Sequence, residues 1–261
     1  MTMIDNHCHV FLADGITPPA PVPGAAYGAP PVGLAEHRAH LDALGCDRGV
    51  LVQPSAYGTS DHGVLLATLR RDPDRLRGVA CVPVGTPDAD LREMHRAGVR
   101  ATRVQDGYPG GVPVTRIAEV AAMVQPFGWH IEIWSDVRRH MDWLAPVVRD
   151  LPVPVVIDHL GHLPSDVPTS DPAVAMVTDL LADGHAWVTL SGLDRLLPDT
   201  IDPEGAEFAD RWREHEDRIA DRVAAFVAAR PDQVMWGTDW PHVGLDLPHP
   251  SVQDLLQRLH R

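Results

Sequence analysis

Short runs of apolar and β-branched residues alternate with amphipathic stretches along the whole chain of 261 residues. Several runs are continuously apolar, for example Gly49-Val50-Leu51-Val52, which is typical of parallel strands buried on both faces. Eight such runs predict strands at residues 3–10, 49–53, 76–83, 99–104, 129–134, 153–159, 186–190 and 233–238.

Helical periodicity fills the intervals between these runs. It predicts helices at residues 33–45, 61–72, 87–97, 114–127, 137–150, 171–183, 207–229 and 251–260. Eight strand–helix units in this length predict an α/β fold, a single (β/α)8 TIM-type barrel domain over residues 1–261, rather than a doubly wound sheet. The Pro- and Gly-rich segments 17–31 and 197–207 follow strands, so they would lie over the C-terminal face of the barrel as loops or lids.

Composition narrows the class of partner. The net charge of −14 disfavours binding to nucleic acid and to anionic membranes. No run approaches the roughly 20 apolar residues of a membrane span, and no secretory leader is recognisable at the N-terminus. We therefore expect a cytoplasmic protein that acts on a small molecule, and the sequence leaves its oligomeric state open.

Lysine is absent, and all 22 basic residues are arginine. This excludes a Schiff-base lysine and also the carboxylated lysine that bridges two metal ions in some hydrolases. Any metal site is therefore expected to hold one ion.

Four polar residues stand at the predicted C-terminal ends of strands. His7 and His9 end the first strand, His159 ends the sixth, and Asp239 stands at the end of the eighth. Residues two apart on a strand share a face, and in a barrel the strand ends converge on one pocket. We therefore expect these side chains to form the catalytic site.

The chemistry of this set has two interpretations. Three imidazoles and one carboxylate can bind a divalent metal, most plainly zinc, with one position left for water. The same residues can hydrolyse a substrate without metal, with Asp239 taking a proton from water while the imidazoles orient that water or bind an oxyanion. The sequence alone does not decide between the two.

Other polar residues receive separate predictions. Arg103 and Arg195 are the expected anion-binding groups, because arginine binds carboxylates through two hydrogen bonds. Asp5 and Asp158 are alternatives for orienting a histidine. His130 and Glu132 are expected in the core or at the bottom of the barrel, whereas a further set of histidines is expected on the solvated surface: His37, His40, His62, His95, His140, His185, His215, His249 and His260.

Taken together, these motifs resemble the amidohydrolase superfamily, in the amidohydrolase-2 group that contains lactone hydrolases. The residues that carry the resemblance lie in the segments 5–11, 49–58, 98–103, 156–161, 190–192 and 236–242. The resemblance implies a distorted barrel that opens lactones with an activated water. It implies that Asp239 is the general base and later the proton donor, and that Tyr57, Arg103 and His242 contact the substrate.

The chain departs from the dicarboxylate lactonases of this group at positions that would face the substrate. His162 stands where those proteins have arginine, and Trp134 stands where tyrosine is common. Thr189 and Asp194 replace an expected lysine and tyrosine. Fewer cations and more apolar surface predict a neutral or monoanionic lactone, with Trp134 and His162 among the substrate-binding residues.

Two rival functions follow from the same residues. A related branch of the superfamily uses a similar His-x-His pair and aspartate, with an obligatory metal, to decarboxylate aromatic or unsaturated acids. A barrel without catalysis that serves as a binding protein is the second rival, which the intact set of four residues disfavours.

Overall fold

The computed structural model describes residues 2–25, 27–198 and 207–244. Eight parallel strands follow one another in chain order around a nearly closed barrel, which confirms the predicted fold class. The strands are β1 Ile4–Cys8, β2 Arg48–Val52, β3 Leu76–Ala80, β4 Val99–Gln105, β5 His130–Trp134, β6 Val155–Ile157, β7 Ala186–Leu190 and β8 Val234–Trp236.

The barrel closes between its first and last strands just beyond β8. The amide of Asp239 donates to the carbonyl of His7 at 2.8 Å, and the amide of His9 donates to the carbonyl of Trp240 at 2.8 Å. Cys8 and Trp240 form an isolated parallel bridge. The backbone that carries the His-x-His pair is therefore hydrogen-bonded to the backbone that carries Asp239.

Helices cover the outside of the barrel in the intervals that periodicity predicts. They are α1 Leu34–Leu44, α2 Gly63–Arg71, α3 Asp88–Ala97, α4 Ile117–Val124, α5 Leu144–Asp150, α6 Pro172–Ala182 and α7 Phe208–Ala229. The predicted helix 251–260 and most of the segment 197–207 lie outside the described residues. No helix in the described part of the chain is long and apolar enough to cross a membrane.

Local chemistry explains where these helices begin and end. At α6, the Asp171 side chain accepts a hydrogen bond from the amide of Ala173, and Pro172 occupies the first turn, where its missing N–H costs nothing. At α3, Asp88 and Asp90 lie near the positive N-terminus, and Gly98 ends the helix in a left-handed conformation.

Inside the barrel, a small apolar layer is followed by polar residues toward the C-terminal ends of the strands. Val52, Val79 and Ala101 form a buried cluster separate from the main core. Arg103 lies two residues after Ala101 on β4 and therefore points to the same face. The charged residues of the site consequently rest on an apolar floor, where an unpaired charge is costly.

Candidate active site

A small cavity lies at the C-terminal ends of the strands. Its volume is about 20 Å³, which is room for about one water molecule. It is lined by His9, Tyr27, Ser55, Arg103, Tyr108, Trp134, His159, Arg195, Asp239 and Val243. Three of the four residues expected to be catalytic border this space.

Asp239 lies at the centre of the site in a left-handed backbone conformation, with φ of 60°. Its Oδ1 is 3.1 Å from His9 Nε2 and 3.6 Å from His7 Nε2, while its Oδ2 accepts a hydrogen bond from Arg195 Nε at 2.7 Å. Burial by itself would raise the pKa of this carboxyl, but Arg195, His159, His9 and His7 hold it well below the usual range. Asp239 is therefore ionised at neutral pH.

Hydrogen-bond partners orient the rings of the His-x-His pair. His9 Nδ1 is 2.8 Å from the carbonyl of Val52; because a carbonyl can only accept, Nδ1 carries a hydrogen and Nε2 faces Asp239. His7 Nε2 is 3.0 Å from Arg103 Nη2 and must accept, so its hydrogen lies on Nδ1. Burial and the nearby Arg103 lower the pKa of His7 to about 3, which keeps His7 neutral.

His159 forms the third side of the imidazole group. Its ring centroid is 4.6 Å from that of His7, and its Nδ1 is 2.8 Å from Ser191 Oγ. Burial holds the pKa of His159 well below its usual value. If Ser191 donates to Nδ1, the neutral ring carries its hydrogen on Nε2 and can donate it to an oxygen.

The two arginines expected to bind anions line the cavity, and both already have protein partners. Arg195 donates from Nη2 to the carbonyl of Val243 at 2.8 Å as well as to Asp239. Arg103 Nη2 is 3.1 Å from Asp158 Oδ2 and 3.4 Å from Glu132 Oε2. Both guanidinium groups are thus paired with protein carboxylates, while Arg103 Nε has no hydrogen-bond partner in the described structure.

Glu132, expected in the core or at the bottom of the barrel, lies in the buried interior. Its side chain is buried, and in the register of β4 and β5 it pairs directly with Arg103. Glu132, Asp158 and His7 form an inner group beneath the cavity, each with a ligand atom within 4.8 Å of the others. Its contact with Arg103 was not predicted, because strand position alone does not reveal which cross-strand charge a residue faces.

Three residues expected to bind substrate do not line the described cavity. The hydroxyl of Tyr57 donates to the carbonyl of Phe11 at 2.8 Å. The ring of His162 packs edge-on against Trp134, with centroids 4.5 Å apart, so His162 lies behind the wall formed by Trp134. His242 follows Asp239 on a tight turn, and its amide donates to the carbonyl of Asp239 at 2.9 Å. Their substrate contacts stay predictions.

Sequence reasoning missed two aromatic residues of the cavity, Tyr27 and Tyr108. Tyr108 stacks on Trp134 with centroids 4.8 Å apart, and Tyr27 meets Tyr108 edge-on at 6.1 Å. Tyr27 belongs to the segment expected over the C-terminal face, and its ring does lie there. The available signal was that two of the three tyrosines of the chain stand in Gly- and Pro-rich loops after strands.

Several histidines that were expected on the surface are buried. His37, His140 and His215 are at most 7% exposed, and His37 Nε2 lies 3.0 Å from Cys8 Sγ. His215 Nε2 donates to the carbonyl of Leu193 at 3.0 Å. The predictions failed because the buried face of a barrel helix accepts a polar ring wherever a backbone or side-chain partner is within reach.

The metal interpretation fits in part. His7, His9 and Asp239 form an outer group whose ligand atoms lie within 4.8 Å of one another, and two imidazoles with one carboxylate are a common zinc donor set. His159, expected as a fourth ligand, is not in this group. Arg103 donates to the His7 nitrogen that would bind the ion. The three residues are therefore of the right chemical type for zinc, but the lone pair of His7 already accepts a hydrogen bond.

Known proteins with similar sequences include hydrolases. The model of the amidohydrolase family matches residues 4–260. The chain is similar to a 2-pyrone-4,6-dicarboxylate hydrolase of Comamonas testosteroni, with 28% identity over 93% of this chain and 77% of that protein. It is similar to a 4-sulfomuconolactone hydrolase of Rhizobium radiobacter, with 27% identity over 98% of this chain and 82% of that protein.

A solved structure agrees with these relatives. It is that of a candidate 2-pyrone-4,6-dicarboxylic acid hydrolase from Pseudomonas putida, which is 30% identical to this chain. The two structures superpose with a TM-score of 0.76 over 100% of this chain and 91% of the other.

Proposed function

Because the chain belongs to the amidohydrolase family, we propose that it is a hydrolase that opens a lactone with a water activated by Asp239. The observation that carries this proposal is the cavity of about 20 Å³, which has room for one water beside an ionised carboxylate and two imidazoles. The named relatives that act on lactones support the same reaction class.

The proposed reaction uses groups already in position. Asp239 takes a proton from the water as the water oxygen attacks the lactone carbonyl carbon, and the carbonyl oxygen becomes an oxyanion. His159 and the guanidinium groups of Arg103 and Arg195 are the donors that can stabilise this oxyanion. The ring C–O bond then breaks, and Asp239 returns its proton to the leaving oxygen, which yields a hydroxy acid.

The walls of the cavity favour a flat, weakly charged substrate. Tyr27, Tyr108 and Trp134 offer aromatic surface, and such rings bind unsaturated rings by stacking or edge contacts. Arg103 and Arg195 are occupied by protein carboxylates. We propose a neutral or monoanionic unsaturated lactone, for which the loops that carry Tyr27 and Tyr108 move outward to admit the ring.

The proposed hydrolysis does not require a metal. A divalent ion bound by His7, His9 and Asp239 would polarise the carbonyl and acidify the water, and zinc is the ion that these donors suit best. In the described arrangement Arg103 and Arg195 supply positive charge at the same positions, so we propose that the water attacks without an ion.

A hydrolysis screen tests the function. Purified protein is incubated with neutral, monoanionic and dianionic unsaturated lactones, and ring opening is followed by proton release and by mass gain of one water. The highest kcat/KM is expected for neutral or monoanionic rings. Release of carbon dioxide without ring opening would instead favour the decarboxylase, and no turnover of any lactone or acid would leave only a binding role.

Replacing the proposed base supplies the matching control. Asp239→Asn keeps the shape of the side chain but cannot take a proton, so kcat should fall by about 10²–10⁴-fold. Far-UV circular dichroism should show an unchanged fold. Near-normal turnover by D239N would refute the role of Asp239.

A further inference from the structure

Arg103 occupies the centre of the inner group beneath the cavity. Its Nη2 is 3.0 Å from His7 Nε2, 3.1 Å from Asp158 Oδ2 and 3.4 Å from Glu132 Oε2. We propose that this guanidinium is an internal cation that fills a latent divalent-metal site, whose ligands would be His7, Glu132 and Asp158. On this proposal, the positive charge beneath His7 comes from an arginine side chain and not from a bound ion.

The donor atoms of the inner group already converge. Their ligand atoms lie within 4.8 Å of one another, and a point near Nη2 is almost equidistant from all three. Bonds from zinc to nitrogen and carboxylate oxygen are about 2.0–2.2 Å long, so each donor would move inward by roughly 1 Å. One imidazole and two carboxylates suit zinc, cobalt or manganese.

Burial makes a cation in this position necessary. Asp158 is fully buried, and its Oδ2 lies 3.1 Å from Arg103 Nη2. Glu132 is 3% exposed. Without Arg103, the described neighbours of these carboxylates would be imidazoles, His7 at 3.6 Å from Asp158 and His130 at 3.8 Å from Glu132, and loss of the permanent cation would be strongly destabilising.

The same contact explains why the inner group of the native chain would not take an ion. A metal needs the lone pair of His7 Nε2, but that lone pair accepts the hydrogen bond from Arg103. The guanidinium also fills the space between the three donors. Arg103→Ala would free the lone pair, open the space and leave two carboxylates that need a cation.

Metal binding by R103A tests the proposal directly. Native protein and R103A are freed of metal, titrated with Co²⁺ and followed by visible absorption, and the bound ion is counted after dialysis. R103A should gain one Co²⁺ per chain over the native protein. Zn²⁺ at a hundredfold excess over its Kd should raise the Tm of R103A by about 5–10 °C.

Double variants locate the ion. R103A/E132Q removes an inner ligand and should bind Co²⁺ at least about tenfold more weakly than R103A, whereas R103A/D239N removes an outer ligand and should bind as tightly as R103A. Arg103→Lys keeps a positive charge and is the matched control, which should gain no ion.

Three outcomes of these experiments would overturn the proposal. It is wrong if folded R103A gains no Co²⁺, or if D239N abolishes the gain and E132Q does not. It is also wrong if R103A stays unfolded in Zn²⁺, since the ion should replace the lost charge. These readouts measure binding and folding, so they stand apart from the lactone hydrolysis proposed above.

Discussion

At the scale of single residues, Asp239 and Arg195 depend on one another. Arg195 donates to Asp239 Oδ2 at 2.7 Å in a nearly water-free site, and among the nearby charges it contributes most to lowering the pKa of Asp239. A strongly paired carboxylate is ionised but weakly basic. The pair therefore keeps Asp239, the proposed base, deprotonated at acidic pH and lowers its affinity for a proton.

The pH dependence of Arg195→Gln tests this coupling. In the native enzyme, kcat/KM should stay level toward acid and decline only below the usual range of an aspartate, because Asp239 loses its charge there. Loss of the Arg195 charge raises the pKa of Asp239, so the acid limb of R195Q should move to higher pH. The exposed variant Arg92→Gln serves as the control, and an identical acid limb in R195Q would contradict the coupling.

At the scale of elements, β1 and the segment after β8 are joined by one buried carboxylate. Asp5 accepts hydrogen bonds from the amide and the hydroxyl of Thr238, at 2.9 and 2.7 Å, and from the amide of His7 at 3.2 Å. Gly237 allows this approach, since a Cβ there would lie 2.6 Å from His7 Cβ and 2.7 Å from the His7 amide nitrogen. The Asp5 carboxylate and this close approach at Gly237 hold the two segments together.

Gly237→Ala should separate these segments. Because the added methyl meets backbone as well as side chain, we expect a loss of about 1–3 kcal/mol in the free energy of unfolding and a lower kcat. Denaturant unfolding and steady-state kinetics measure both effects. At Gly28, where a Cβ meets nothing within 4 Å, alanine should change neither quantity; equal behaviour of G237A and G28A would refute the packing argument.

Most of this architecture was predictable from the sequence, but strand ends were not. The predicted strand 153–159 is observed only as β6 Val155–Ile157, and the predicted strand 233–238 only as β8 Val234–Trp236. The first prediction ran on into the site residue His159, which has a positive φ, and the second ran on through Gly237 and Thr238, just before Asp239. An apolar pattern along the chain shows which residues are buried. The end of a strand depends instead on how far the neighbouring strand offers backbone hydrogen-bond partners.

At the scale of the whole molecule, buried neutral histidines tie stability to pH. Burial lowers the pKa of His37 and of His215 to about 4 from 6.5. The unfolded chain therefore binds more protons than the folded chain between these values, and the free energy of unfolding falls as the pH falls from 6.5 to 4. Asp158, whose pKa burial raises to about 6, acts in the opposite direction.

Comparing the pH dependence of Tm between a variant and the native protein isolates the contribution of one histidine. His215→Gln keeps an N–H donor for the Leu193 carbonyl but does not titrate, so Tm should fall less steeply between pH 6.5 and 4 than in the native protein. His185→Gln, at an exposed position, should follow the native curve. Parallel curves for H215Q and the native protein would show that His215 does not couple protonation to folding.

Metal removal is a second test at this scale. We expect protein dialysed against a chelator, and shown by elemental analysis to hold no divalent ion, to keep its full kcat. The physical reason is that Arg103 and Arg195 already supply positive charge at His7 and Asp239. Loss of activity that is restored by added Zn²⁺ would instead assign the outer group His7, His9 and Asp239 a metal.

By itself, the sequence determined the barrel and the side of it on which His7, His9, His159 and Asp239 lie, but not the residue at which each strand ends. This was so because strand periodicity and chain order fix which residues reach the C-terminal face. Only the tertiary structure showed that Arg103 donates to His7, that Glu132 faces Arg103, and that Tyr27 and Tyr108 close the cavity. Those contacts join residues far apart in the chain, and a pattern along one strand carries no information about the charge or ring across from it.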